Sequence, residues 1–120
     1  MSSDNIIHNK SYSFAVRIVN LSKYLKYEKK EYILSKQILR SGTSVGALVR
    51  ESKFAQSKAD FINKLSISLK EANETDYWID LLFDTDYITK NMYDDMKKDI
   101  NEIISLLVSI VKSSKRTLNS

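Results

Sequence analysis

Five carboxylates, Glu71, Glu74, Asp76, Asp80 and Asp84, recur at short intervals in the middle of this chain. Helical bundles build paired metal sites from such residues. Those sites also need a Glu-x-x-His pair on each of two helices, and His8 is the only histidine present, so a two-metal centre is not expected. The absence of cysteine removes thiolate ligands, thiol nucleophiles and disulfides. His8, close to the start, reads as a surface residue. With no nucleophile and base pair to assemble and no metal set, the chain is expected to have no catalytic residue, no cofactor and no enzymatic activity. The carboxylates are then structural: Glu71 and Glu74 are expected to pair with Lys70, Lys64 or arginines of neighbouring helices. Asn73 should hydrogen-bond across a helix contact. Asp76, on an apolar stripe where an unpaired charge is costly, is expected to face Arg40, Arg17 or water at a subunit edge.

The cations carry a second possible chemistry. Residues 1–58 hold 11 Lys and Arg against 4 Asp and Glu, a balance of +7, whereas residues 71–102 hold 3 against 10, a balance of −7. The overall +4 conceals this division. A basic first half suits the phosphate backbone of a nucleic acid, and an acidic later segment repels it; the same division suits head-to-side assembly of copies. The candidate phosphate contacts are Lys23, Lys26, Lys29 and Lys30 around the first turn, with Arg17, Lys36, Arg40, Arg50 and Lys53 on the helices. Binding through them would be sequence-independent and salt-sensitive. Tyr24, Tyr27 and Tyr32, interleaved with the lysines, can stack on unpaired bases. The same residues also fit a plainer role, the lysines as a solvated surface and the tyrosines as caps on the ends of the core.

The elements that must position these groups are read from apolar residues recurring at steps of three and four. Phe14, Ile18, Leu21 and Leu25 form a first stripe, with Ala15 and Val19 beside it. Leu34, Ile38, Val45 and Leu48 form a second; Ile62, Leu65, Leu69, Ala72, Ile79 and Phe83 a third, widened by Trp78 and Leu82; and Tyr93, Met96, Ile100, Ile103, Leu107 and Ile110 a fourth. The spacing predicts helices over 5–26, 31–54, 58–84 and 89–115. Ser57 and Thr89 are suited to cap the third and fourth. Short breaks between helices require antiparallel neighbours, so the expected fold is all-α, an antiparallel up-down-up-down four-helix bundle in one domain. Both glycines of the chain, Gly42 and Gly46, lie four residues apart in the second helix, where each costs about 1 kcal/mol relative to alanine. Either Ser41, Gly42, Ser44 and Gly46 admit the close approach of another helix, from the same or a neighbouring subunit, or the glycines relieve crowding against Trp78 or Phe61. Trp78 is expected in the core. No run reaches the roughly 20 apolar residues of a membrane span, and residues 1–10 lack the apolar stretch of a signal peptide, so a soluble, cytoplasmic protein is expected.

Several strings in this order resemble a known family over about Phe14 to Ser114. They are Phe14-Ala-Val-Arg-Ile18, Ser35-Lys-Gln-Ile-Leu-Arg-Ser-Gly-Thr-Ser-Val-Gly-Ala47, Ser57-Lys-Ala-Asp-Phe-Ile-Asn-Lys-Leu65 and Leu69-Lys-Glu-Ala-Asn-Glu-Thr-Asp-Tyr-Trp78. The chain is similar to the bacterial four helix bundle proteins, also called the 23S ribosomal RNA intervening-sequence protein family, which are related to the accessory proteins of diversity-generating retroelements. That resemblance implies a helical bundle in a ring of five subunits with no established enzymatic activity. For the retroelement relatives it also implies binding of nucleic acid and of a reverse transcriptase. It departs from the family where Leu48 stands in place of a common Asn and Arg50 in place of a small or acidic residue. The function expected is a non-enzymatic oligomeric adaptor, with nucleic acid, a protein or both as partner. The alternative is a protein-only interaction module.

Overall fold

The computed structural model describes residues 3–119, with side chains described for 5–118. Four helices account for nearly all of them: α1 (Ser3–Tyr27), α2 (Leu34–Ser52), α3 (Lys58–Asp84) and α4 (Lys90–Asn119). Each helix packs on the next and α4 returns to α1, giving a square antiparallel bundle 50 × 22 × 22 Å. No strand occurs among the described residues.

The helix ends follow from local chemistry. Ser57 adopts an extended conformation before α3 and its hydroxyl accepts from the Asp60 amide at 3.0 Å, while the Asp60 carboxylate accepts from the Gln56 amide at 3.1 Å. This reciprocal arrangement satisfies two amide donors that a helix start leaves open. Thr89 caps α4 in the same way through the Met92 amide. No side chain caps α2 from Ile33; instead the Glu31 carboxylate accepts from the Ser35 amide at 2.9 Å. The helix therefore begins at Leu34 rather than 31, and it stops at Ser52 rather than 54 because Lys53 and Phe54 enter the next turn.

Two turns use a left-handed residue, Lys30 at φ 55° and Asp86 at φ 66°. An L side chain there is strained by roughly 1–2 kcal/mol, and glycine would remove that strain while gaining unfolded-state entropy. Asp86→Gly is expected to stabilise the protein by about 0.5 to 1 kcal/mol net. A urea midpoint that rises with unchanged slope would show it.

The four expected stripes meet in one core, with one correction: at the end of the second, Val49 is buried where Leu48 was expected, and Leu48 is turned to the half-buried edge of α2. The core contains Phe14, Ile18, Leu21 and Leu25 from α1, Ile38, Val45 and Val49 from α2, Ile62, Leu65, Ala72, Ile79 and Leu82 from α3, and Met96, Ile100, Ile103, Leu107 and Ile110 from α4. Buried hydroxyls occupy the stripe positions between them. Ser68 donates to the Val45 carbonyl, Ser22 to the Ser35 carbonyl, and the Thr75 and Ser41 hydroxyls join at 2.9 Å. Among the described residues no buried side-chain nitrogen or oxygen lacks a partner, as low-dielectric surroundings demand.

The four seams differ. The α1–α4 seam is the sparsest and is bridged by ion pairs, Lys10 with Glu102 at 2.7 Å and Arg17 with Asp99 and Asp95. By contrast, α1 and α2 touch closely, because the α2 face turned to α1 carries both glycines.

Candidate functional site

The sequence points to the α1–α2 side of the bundle, and small residues decide how those helices meet. A Cβ on Gly42 would lie 2.7 Å from Cγ1 of Ile18, and one on Gly46 would lie 3.1 Å from the Ser11 carbonyl oxygen. The glycines therefore admit α1 of the same chain, and their neighbours are Ile18 and Ser11, not Trp78 or Phe61. Ser41 faces α3 through Thr75, whereas the Ser44 hydroxyl turns back to the Arg40 carbonyl.

Where the glycines draw the helices together, a groove of about 420 Å³ runs along the outer surface, lined on one side by His8, Tyr12 and Ala15 and on the other by Thr43, Gly46, Ala47, Arg50, Glu51 and Phe54. Its apolar side chains stand in water. Tyr12 is 57% exposed and Phe54 82%; outside the groove's lining, Val16 and Val19 on the outer surface of α1 are 46% and 36% exposed. Sequence reasoning missed this second stripe. The signal was present in the spacing of Tyr12, Val16 and Val19, at steps of four and three, offset from the core stripe of the same helix.

The nine candidate cations do not form one patch. Lys23 and Lys26 on the last turns of α1, Lys29 and Lys30 in the turn, and Lys36 on the first turn of α2 gather at one end of the bundle. Arg50 and Lys53 lie at the other end of α2, about 21 to 26 Å from Lys36 at 1.5 Å per residue, with Arg40 exposed between them. Arg17 is on a different side: its guanidinium reaches α4 and pairs with Asp99 and Asp95. None of the other eight has a carboxylate within ion-pair distance among the described residues. At the turn, the Lys30 ammonium donates to the Tyr27 carbonyl, Lys26 lies over the Tyr27 ring and Lys29 over that of Tyr24. Tyr24 is packed against the core, whereas Tyr27 and Tyr32 are 61% and 51% exposed. Arg50 covers the Tyr12 ring, with its guanidinium carbon 5.6 Å from the centroid. Burial, and then the charges of Lys53 and Arg50, lower the pKa of His8, which keeps its ring neutral near pH 7.

A model of the 23S rRNA-intervening sequence protein family matches residues 3–109. The chain belongs to that family. A crystal structure of an S23 ribosomal protein family member from Bacteroides thetaiotaomicron, itself described as of unknown function, is 59% identical to it. That structure superposes with a TM-score of 0.91, over 92% of this chain and 99% of the other. No curated protein matches the chain.

In this 23S rRNA-intervening sequence family protein two of the α3 carboxylates, Asp76 and Asp80, serve the α3–α4 seam. Asp76 meets neither Arg40 nor Arg17: it pairs with Lys97 at 2.5 Å, and Lys97 also reaches Asp80 at 3.0 Å. The Tyr93 hydroxyl donates to Asp80 at 2.8 Å, and its ring stacks on Phe83 with centroids 4.3 Å apart. Glu74 accepts from the Trp78 indole, and Lys64 pairs with Glu51 rather than with Glu71 or Glu74. Asn73 is exposed on α3 and spans no helix contact, and Trp78 is half-buried at the edge of the core, edge-to-face with Tyr77. No cluster of three or more metal-ligating side chains occurs among the described residues. No helix there is long and apolar enough to cross a membrane.

Burial opposes the charge of Asp80, but hydrogen bonds from Tyr93 and Lys97 outweigh it and hold the carboxylate below its ordinary range. Burial likewise opposes the Lys97 ammonium, yet its bonds to Asp76 and Asp80 raise its pKa. A depressed acid stabilises above its unfolded pKa and ceases to do so as pH falls through the folded one; a raised base stabilises below its unfolded pKa and ceases to do so as pH climbs through the folded one. Lys97→Met is therefore expected to cost about 2 kcal/mol, between the values for exposed and buried pairs. The difference from the parent should hold between the ordinary carboxylate and lysine ranges and shrink beyond both. Urea titrations at acidic, neutral and alkaline pH would check it.

Proposed function

We propose that this protein is a non-enzymatic helical-bundle adaptor that assembles with copies of itself and holds single-stranded nucleic acid at the end of the bundle formed by the α1–α2 turn. The observation that carries the reading is the group Lys23, Lys26, Lys29 and Lys30, free of carboxylate partners among the described residues, beside the exposed rings of Tyr27 and Tyr32. Ammonium groups neutralise backbone phosphates without reading bases, and flanking rings stack on bases of any identity. The assembly rests on resemblance, which implies five subunits, and on the outer face of α3. There Ile67 is exposed and Trp78, eleven residues on and so on the same helix face, is half-buried, with Tyr77 exposed beside it.

Light scattering of the purified protein, with and without a single-stranded RNA oligonucleotide at two salt concentrations, tests both parts. A multimer near five chains that gains mass with RNA at low salt and loses it at high salt is the expected result. A monomer, or no gain of mass at either salt, would remove the corresponding part. The stripe of Tyr12, Val16 and Val19 favours a second reading, a protein-only interaction module, for which RNA would show no retention at physiological salt.

A further inference from the structure

We propose that the cavity beneath the α2–α3 turn binds a single-chain anionic amphiphile, an alkyl chain ending in a carboxylate or phosphate, with its head between Lys53 and Lys58 and its chain on the end of the core. The site lies at the end of the bundle opposite the α1–α2 turn, so it stands or falls separately from the proposed nucleic-acid site.

The cavity follows from how α2 ends. The helix stops at Ser52, and of the two apolar residues in the turn that follows, Phe54 is 82% exposed and lines the α1–α2 groove instead. Only Ala55 of the two lines this end of the core, where a cavity of about 600 Å³ remains, within the size range of small-molecule sites.

Its floor is aliphatic. Ile7, Val49 and Leu65, each 2% exposed, reach it from three different helices. Phe61 is the one aromatic ring among the lining residues, and the Lys58 ammonium lies 5.5 Å from its centroid. An alkyl chain asks no more of such walls than contact away from water, whereas a nucleobase, which binds by stacking, would compete with that ammonium for the ring.

The polar side of the cavity is cationic. Lys53 and Lys58 line it, no carboxylate does, and neither lysine is ion-paired among the described residues. The Ser57 hydroxyl, also in the lining, accepts from the Asp60 amide at 3.0 Å and so keeps its own proton to donate. Two ammonium groups and a hydroxyl make a donor set for an anion. The aliphatic floor beside them selects an anion that carries an apolar chain.

The probes are decanoate and decyl phosphate, titrated calorimetrically into the full chain below their micelle concentrations. Decyltrimethylammonium supplies the chain with the opposite charge, and acetate and inorganic phosphate supply the head without the chain. At least one of the two anionic amphiphiles should bind saturably, one per chain and at least tenfold more tightly than every control, and the tighter of the two identifies the head. Lys53→Glu combined with Lys58→Glu, both at exposed positions, should weaken that binding at least tenfold while circular dichroism stays unchanged. Ala55→Trp, which fills the cavity without altering its charge, should do the same. Lys23, Lys26, Lys29 and Lys30 changed together to alanine should abolish RNA retention and leave amphiphile binding within twofold of the parent. Equal binding of any control, indifference to the lysine reversals or to Ala55→Trp, loss of binding in the turn variant, or no binding at all would overturn the proposal.

Discussion

Gly42→Val is expected to lower the unfolding free energy by about 3 kcal/mol, the upper end of the range for overpacking a filled core. The nearest atoms to the new Cβ belong to Ile18, at 2.7, 2.9 and 3.0 Å. Ile18 is fully buried and branched at Cβ, so it cannot swing aside without displacing core neighbours. Valine recovers only a few tenths of a kcal/mol from its better helix propensity than glycine. Gly46→Ala should cost far less, because the Ser11 carbonyl oxygen at 3.1 Å need yield by only a few tenths of an ångström and alanine recovers about 1 kcal/mol of helix propensity. The decisive measurement is a double-mutant cycle. Ile18→Ala empties the space that valine invades, so the double variant should be more stable than the sum of the singles predicts by at least about 1 kcal/mol. Strict additivity would mean that Gly42 is not held by Ile18.

Replacing Lys23, Lys26, Lys29 and Lys30 with glutamate should abolish retention of single-stranded RNA at physiological salt. All four side chains are exposed and none is ion-paired with a carboxylate among the described residues, so the fold should survive the change and far-ultraviolet circular dichroism should match the parent. If each lysine neutralises one phosphate, binding by the parent should fall about fifty-fold between 50 and 200 mM salt, from a slope of roughly −0.7 per contact on single strands. Single reversals should each flatten that slope by about 0.7. Tyr27→Ala with Tyr32→Ala should weaken binding at both salt concentrations without altering the slope, since stacking releases no counterions. Electrophoretic mobility shifts at several salt concentrations separate the two contributions.

Much of the fold was legible because a helix that must bury one face announces itself at intervals of three and four. All four helices lie where their stripes place them, and Ser57 and Thr89 cap the helices they precede. The ends were less legible. At the start of α2, Lys30 in a left-handed conformation and Glu31 bonded to Ser35 delay the helix by three residues relative to its expected start. At the end of α4, buried Ser114 extends the stripe beyond Val111, the last buried apolar residue, and the helix continues to Asn119. Partners between helices were the least legible. Asp76 meets Lys97 because α3 turns that face to α4, and the glycines meet Ile18 and Ser11 because α2 turns theirs to α1; both depend on rotation about the helix axis, which spacing alone leaves open. The candidate site was legible as charge but not as shape. Composition identified the basic helices, whereas the separation of the cations onto two ends and the exposure of Phe54 follow from packing.

The way the square closes bears on how quickly it forms. Three of its edges join helices consecutive in the chain, so their side chains meet after only a short loop has been closed, and such local topologies fold in microseconds to milliseconds. The fourth edge brings together Lys10 and Glu102, 92 residues apart, and relies on ion pairs that mobile counterions weaken. Refolding should therefore be rapid for the hairpins and slowest for this last latch. In concentrated salt, amide hydrogens along the first helix should exchange with solvent before those of the middle two.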